Sequence, residues 1–404
     1  MPRITNIEVT RKNLPLRVVL LALAVVIAIV SFWYGFSELF GLEPGWREIK
    51  VSSGTLNCSE DFALLYNYVD AADVSATVQN KRLTALYTKA TEDAYQLFNN
   101  EYASDELHNI RYVNEHINQE ITVEPALYDA LSAIVESGNR SIYLAPAYAQ
   151  YNQLFVCEND AEAAQYDPQA QPDTKAYIAE IAGFANDPQM IDIQLLGDQR
   201  IKLQVAQAYL TFIEENEIAY LLDFSWMTNA FIADYIADIL IGEGFTNGYL
   251  ASYDGFTRNL CDSGQTFELN VFHRVGNDIL IPATLSYPGG NSLVAMRDFP
   301  INETDRWHYY AFEDGRIASL LLDPADGTEK SAVSSMISYS KSAGCAQILL
   351  SVAPLFIADD LDAEQLDALT EEGIYTVYPE GNSVYTNDES LTLKLFENYN
   401  KINY

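Results

Sequence analysis

The chain has 404 residues, 49% of them hydrophobic, and a formal net charge of −34. That length supplies one large core or two small ones. So acidic a chain repels phosphate, which excludes a nucleic-acid partner, and it repels a bare anionic lipid surface for the same reason.

The first element is the apolar run from Val18 to Phe36, VVLLALAVVIAIVSFWYGF, which carries no charged residue. As a helix it spans about 28 Å, close to the hydrocarbon thickness of a bilayer. Arg3, Arg11, Lys12 and Arg17 precede it, whereas Glu38 and Glu43 follow it. The basic flank stays in the cytoplasm, and Trp33 and Tyr34 favour the outer interface. The expected organisation is a cytoplasmic flank at 1–17, a single transmembrane helix at 18–36 and a juxtamembrane linker at 37–57. Residues 58–404 follow as one extracytoplasmic domain, so the protein belongs at the cell membrane. A cleaved signal peptide is the competing reading; the run is longer than a usual signal core, and no small-x-small site follows it.

Beyond the linker, apolar residues recur at helical spacing from Arg82 to Phe98. Pro125 to Val135 reads as a helix with proline in its first turn and Gly138 past its end. Residues 160–175, rich in Ala, Gln, Pro and Asp, read as a surface loop. Gln199–Leu203 and Tyr220–Phe224 read as strands. Thr228–Gly242 is a helix, capped by Thr228 or Asn229 and closed by Gly242 or Gly244. Strands follow at Asn247–Tyr253, Phe267–Arg274, Ile279–Leu285 and Trp307–Phe312, then a turn at Asp323–Gly327. Ala343–Val352 is a buried helix and Ala358–Leu369 an acidic amphipathic one. Ile374–Tyr378 and Ser383–Tyr385 form a closing hairpin. Helices mixed with antiparallel-looking strands make the fold class α+β.

Four cysteines, Cys58, Cys157, Cys261 and Cys345, contain no CxxC pair, which excludes a zinc ribbon or thioredoxin-type site. Disulfides and buried thiols both remain open. The four histidines include no i, i+4 pair, and no phosphate loop, HExxH or GxSxG occurs.

The order of several short patterns is more informative. Tyr102, with Glu106 and Leu107 after it, precedes Asn114 and the Pro125 helix. Asp223-Phe224-Ser225-Trp226-Met227-Thr228-Asn229-Ala230 then runs straight into the next helix. Tyr253-Asp254-Gly255-Phe256 closes the following strand, and Asp323-Pro324-Ala325-Asp326-Gly327 makes the later turn. This succession resembles the ApbE family, the FAD:protein FMN transferases, over roughly residues 60–390. The resemblance implies an ApbE-like fold, FAD as ligand, Mg²⁺ as the transfer ion and a flavoprotein as partner. It assigns cofactor contacts to Tyr102, Asp223, Asp254, Gly255, Asp323 and Gly327.

The sequence departs from the family where chemistry is done. In the family's Asp-x-Gly-Gly-x-x-Lys-Gly turn, Ser225 and Trp226 replace the glycines, Asn229 the lysine and Ala230 the last glycine. Leu320 stands in place of a histidine. The metal-binding Ala-Asp-x-x-x-Thr helix falls on Cys345-Ala346 and Leu350-Ser351, so its carboxylate is gone. No catalytic residue and no metal ligand is therefore assigned. Two functions follow: a flavin-transferase relative impaired in catalysis, or a non-enzymatic envelope interaction protein that reuses the fold.

Overall fold

A computed structural model describes residues 42–52, 61–69, 75–104, 106–260, 264–302, 305, 307–396 and 398–404. Its centre is a nine-stranded sheet. In spatial order the strands are Gly45–Ile49, Phe62–Tyr68, Gly248–Ser252, Phe256–Asn259, Ser292–Arg297, Ser335–Ser340, Ile374–Glu380, Ser383–Thr386 and Asn400–Asn403. Neighbours pair antiparallel except the last two, which are parallel. Side chains alternate across such a sheet, so each face packs a different core. Leu293, Ile337 and Val377 meet the three-stranded sheet of Thr266–Val275, Asp278–Pro288 and Thr392–Leu395. Val294, Met336 and Ile374 belong instead to the larger core, with the helices Ala76–Phe98, Thr228–Gly242 and Cys345–Phe356. The architecture is a mixture of α and β with antiparallel pairing dominant.

The long helices and most strands lie where periodicity puts them, and Gly138 ends Pro125–Ser137 in the left-handed region at φ 69°. Other expectations need correction. Gly45–Ile49, expected within the linker, is the edge strand of the sheet. The expected loop at 160–175 holds the short helix Asp160–Ala163 and the start of Pro172–Asn186. The acidic helix shrinks to Ala363–Ala368, capped by Asp362. Thr228–Gly242 has no side-chain cap; it continues from a 3-10 turn at Ser225–Met227, and Thr228 Oγ1 donates to Ser225 O instead.

Tyr220–Phe224 is not a strand. Its backbone groups find side-chain partners in place of a ladder: Leu221 N and Leu222 N donate to Asn114 Oδ1 at 2.9 Å. Leu222 O accepts from Asn100 Nδ2 and Asn114 Nδ2, both at 2.9 Å. Buried amides make these bonds obligatory, and the two asparagines satisfy them without a neighbouring strand.

The predicted span at 18–36 lies outside the described residues, as do Cys58 and Cys261. Among the described residues no helix is long and apolar enough to cross a membrane, and Cys157 and Cys345 are free thiols.

Candidate functional site

Two clefts flank Phe98, which contributes to both walls. The larger, about 1,000 Å³, lies between Pro125–Ser137, Thr228–Gly242 and the first turn of Cys345–Phe356. Its apolar lining includes Phe231, Tyr235, Ala126, Ala130 and Ala133; its charged lining is Asp129, Asp234, Asp238, Arg258 and Lys341. The smaller, about 600 Å³, is lined by Asn100, Glu101, Tyr148, Asp223, Ser225 and Thr228 among others. Phe98, Phe224 and Phe231 stack edge to face beneath them, with centroids 4.9 to 5.2 Å apart in successive pairs. The aromatic partition is held by packing.

Asp234 organises the larger cleft. It projects from Thr228–Gly242 to the N-terminus of Cys345–Phe356, where its oxygens accept from Cys345 N at 2.8 Å and Ala346 N at 2.9 Å. Arg258 donates to the same carboxylate at 2.5 Å and to Asp238 at 2.8 Å. Gly344 makes the approach feasible: a Cβ there would stand 2.5 Å from Asp234 Oδ2. A helix N-terminus ordinarily offers its amides to an outside anion. Here the chain's own carboxylate fills that place. Burial pushes the Asp234 carboxyl above its ordinary value, against the opposing pull of Arg258 and the two amides.

The Asp223 turn is closed in the same manner. Asp223 Oδ1 accepts from Ser225 N at 2.5 Å and Ser225 Oγ at 3.0 Å, while Oδ2 accepts from Asn100 at 2.6 Å. Ser225 sits in the left-handed region at φ 49°, a conformation that glycine adopts freely and serine at a cost. Trp226 donates to Tyr148 Oη at 3.0 Å and lines a space of only about 40 Å³ with Asp254, His308 and Leu320. Asp254 Oδ2 accepts from Asn229 at 2.9 Å, and its buried Oδ1 has no hydrogen-bond partner among the described residues. Burial raises the Asp254 carboxyl above its ordinary value, and nearby His308 opposes that shift.

Asp223 thus lines the 600 Å³ cleft and Asp254 the 40 Å³ space. Tyr102 is one residue beyond Glu101 on the smaller cleft's wall, and its carbonyl accepts from Asn109 at 2.9 Å. Gly255, in the turn before Phe256–Asn259, lies against the neighbouring strand: at φ 111°, an added Cβ would stand 2.3 Å from Ala295 O. Asp323 is held by Lys330 at 2.8 Å and by its own turn, where Ala325 N donates to it at 2.9 Å. Gly327 lets that turn press on Ile178, whose Cγ2 a Cβ would meet at 2.7 Å. Gly327 thus packs the turn on Pro172–Asn186, and neither Asp323 nor Gly327 is among the residues lining the two clefts.

No protein-family model matches this chain, and no curated protein matches it in sequence. Among solved structures it is similar to the ApbE protein of Thermotoga maritima, with a TM-score of 0.56 and 11% identity over 87% of this chain and 97% of that one. It is also similar to the flavin transferase ApbE of Vibrio cholerae, with a TM-score of 0.55 and 12% identity over 88% of this chain and 98% of that one. The fold is ApbE-like.

Within this ApbE-like frame, the larger cleft fits a flavin ring by its volume and its aromatic, small-residue walls. Magnesium does not fit the residues present. Ala346 and Leu350 supply no oxygen, and Mg²⁺ requires hard oxygen ligands. Among the described residues no group of three or more His, Cys, Asp or Glu side chains could hold a metal ion. Sequence reasoning missed Asp234 and Arg258. The available signal was a carboxylate set among Ala230, Phe231, Ala233 and Ala237, buried residues of a mostly apolar helix.

Behind the site, Glu329 accepts from Ser319 N at 2.5 Å and neighbours Tyr151 Oη at 3.5 Å. Burial pushes its carboxyl up to about 7 from an ordinary 4.5, despite the two bonds from Ser319. A raised carboxyl favours the protonated folded state, so this contribution is complete below pH 4.5 and is lost as pH rises to about 7. Thermal stability should fall across that window by up to about 3 kcal/mol. Glu329→Gln keeps the acceptor without the charge and should flatten the profile; an unchanged slope in pH-dependent melting would refute the assignment.

Proposed function

We propose that this chain is a flavin-binding relative of the ApbE transferases, tethered to a membrane by residues 18–36 and impaired in FMN transfer. The observation that supports the reading is the 1,000 Å³ cleft, which combines aromatic and small-residue walls with Asp234 at the helix N-terminus beside Ala346. Binding of an aromatic ring needs apolar walls and a few polar contacts, and those are present. Phosphoryl transfer needs concentrated positive charge where negative charge develops, and the residues here supply little of it.

The full chain in detergent should quench flavin fluorescence saturably with at least one of riboflavin, FMN and FAD. Adding Mg²⁺ or a chelator should leave that binding unchanged. Absence of saturable quenching with all three would overturn the reading and leave the envelope interaction protein in its place.

A further inference from the structure

The cleft's electrostatics point beyond flavin binding in general to one kind of flavin. We propose that the larger cleft selects a flavin without phosphate, riboflavin, over FMN and FAD. This rests on the flavin reading above and deepens it.

Phosphate recognition in proteins draws on free backbone amides, fixed cations or both. Here three of the amides that could serve are spent. Cys345 N and Ala346 N bind Asp234, and Ser225 N binds Asp223. Of the wall's two cations, Arg258 holds Asp234 and Asp238 and its side chain is only 14% exposed, whereas Lys341 is exposed and has no ion-pair partner among the described residues. The wall sets Arg258 and Lys341 against Asp129, Asp234 and Asp238, so it is net negative before any ligand enters. A phosphate monoester brings about −1.5 to −2 further charge at pH 7. Displacing Asp234 to make room would leave buried Arg258 without its closest partner, so the cap does not yield readily.

Everything else on the wall suits an uncharged flavin. Phe98, Phe231 and Tyr235 face small alanines, which leaves room for a planar ring. Ser292, Ser342 and Gln347 offer neutral hydrogen-bonding groups of the kind that ribityl hydroxyls require. Polar but uncharged contacts lose little on desolvation when each finds a partner.

The test compares riboflavin, FMN and FAD by fluorescence quenching with the full chain in detergent, at low and high salt. Riboflavin should bind about tenfold or more tighter than FMN or FAD at low salt, and the gap should narrow as salt screens the repulsion. The double variant Asp129→Asn with Asp238→Asn removes two wall charges and loosens Arg258. It should tighten FMN binding about tenfold while riboflavin changes little. FAD or FMN binding as tightly as riboflavin at low salt would overturn the selectivity and leave the flavin reading standing. So would a double variant whose riboflavin-to-FMN ratio is unchanged. Failure of all three flavins to bind would overturn both.

Discussion

Replacing Asp234 by alanine should lower the unfolding free energy by about 3–5 kcal/mol, the range for breaking a buried ion pair from one side. The carboxylate links three elements: its own helix, the strand residue Arg258 and the first turn of Cys345–Phe356. Its side chain is 19% exposed, and that of Arg258 14%. Burial pulls the two partners in different directions. It drives Asp234 toward its neutral form, whereas for Arg258 the attraction of Asp234 and Asp238 outweighs burial. The guanidinium charge is the firmer of the two, because arginine does not deprotonate in proteins. The pair is therefore no large net source of stability, yet removing half of it strands a buried cation and two amides. Asp234→Asn retains an acceptor for one amide and should lose about half as much. Denaturant unfolding decides the matter; a loss under about 1 kcal/mol for the alanine variant would show that Asp238 and water replace the cap.

Given FAD, Mg²⁺ and an acceptor flavoprotein, the chain should form covalent flavin about 100 to 1,000 times more slowly than an active flavin transferase of this fold. The reason is missing charge. Ala346 and Leu350 stand where the family resemblance expects a carboxylate and a hydroxyl, and both are buried. Asp234 cannot serve instead, since its oxygens already accept from two amides and Arg258. Installing Ala346→Asp alone should not restore transfer, because the new carboxylate would sit beside Asp234 and repel it. Fluorescent labelling of the acceptor is the readout. Robust labelling that a chelator abolishes would mean that a metal site is built from other residues.

What this sequence determines by itself is the local part of the structure. Helices such as Ala76–Phe98 and Cys345–Phe356 and the hairpin at Ile374–Thr386 are legible because periodicity, glycine and proline act over a few residues. The order of short motifs also foreshadowed the ApbE-like fold, at an identity too low for sequence matching. Tertiary structure alone decided the rest. Asn114 meets Leu222 across 108 residues, and that contact turns an apparent strand into a side-chain-bonded segment. Asp234 meets Cys345 across 111 residues and closes an anion site that motif reading left open. Local pattern in one dimension reads Asp323 and Gly327 only as a turn; in three, Asp323 pairs with Lys330 and Gly327 packs on Ile178. The reason is general. A backbone donor or carboxylate has its chemistry fixed by whatever partner the fold delivers, and no local pattern records the identity of that partner.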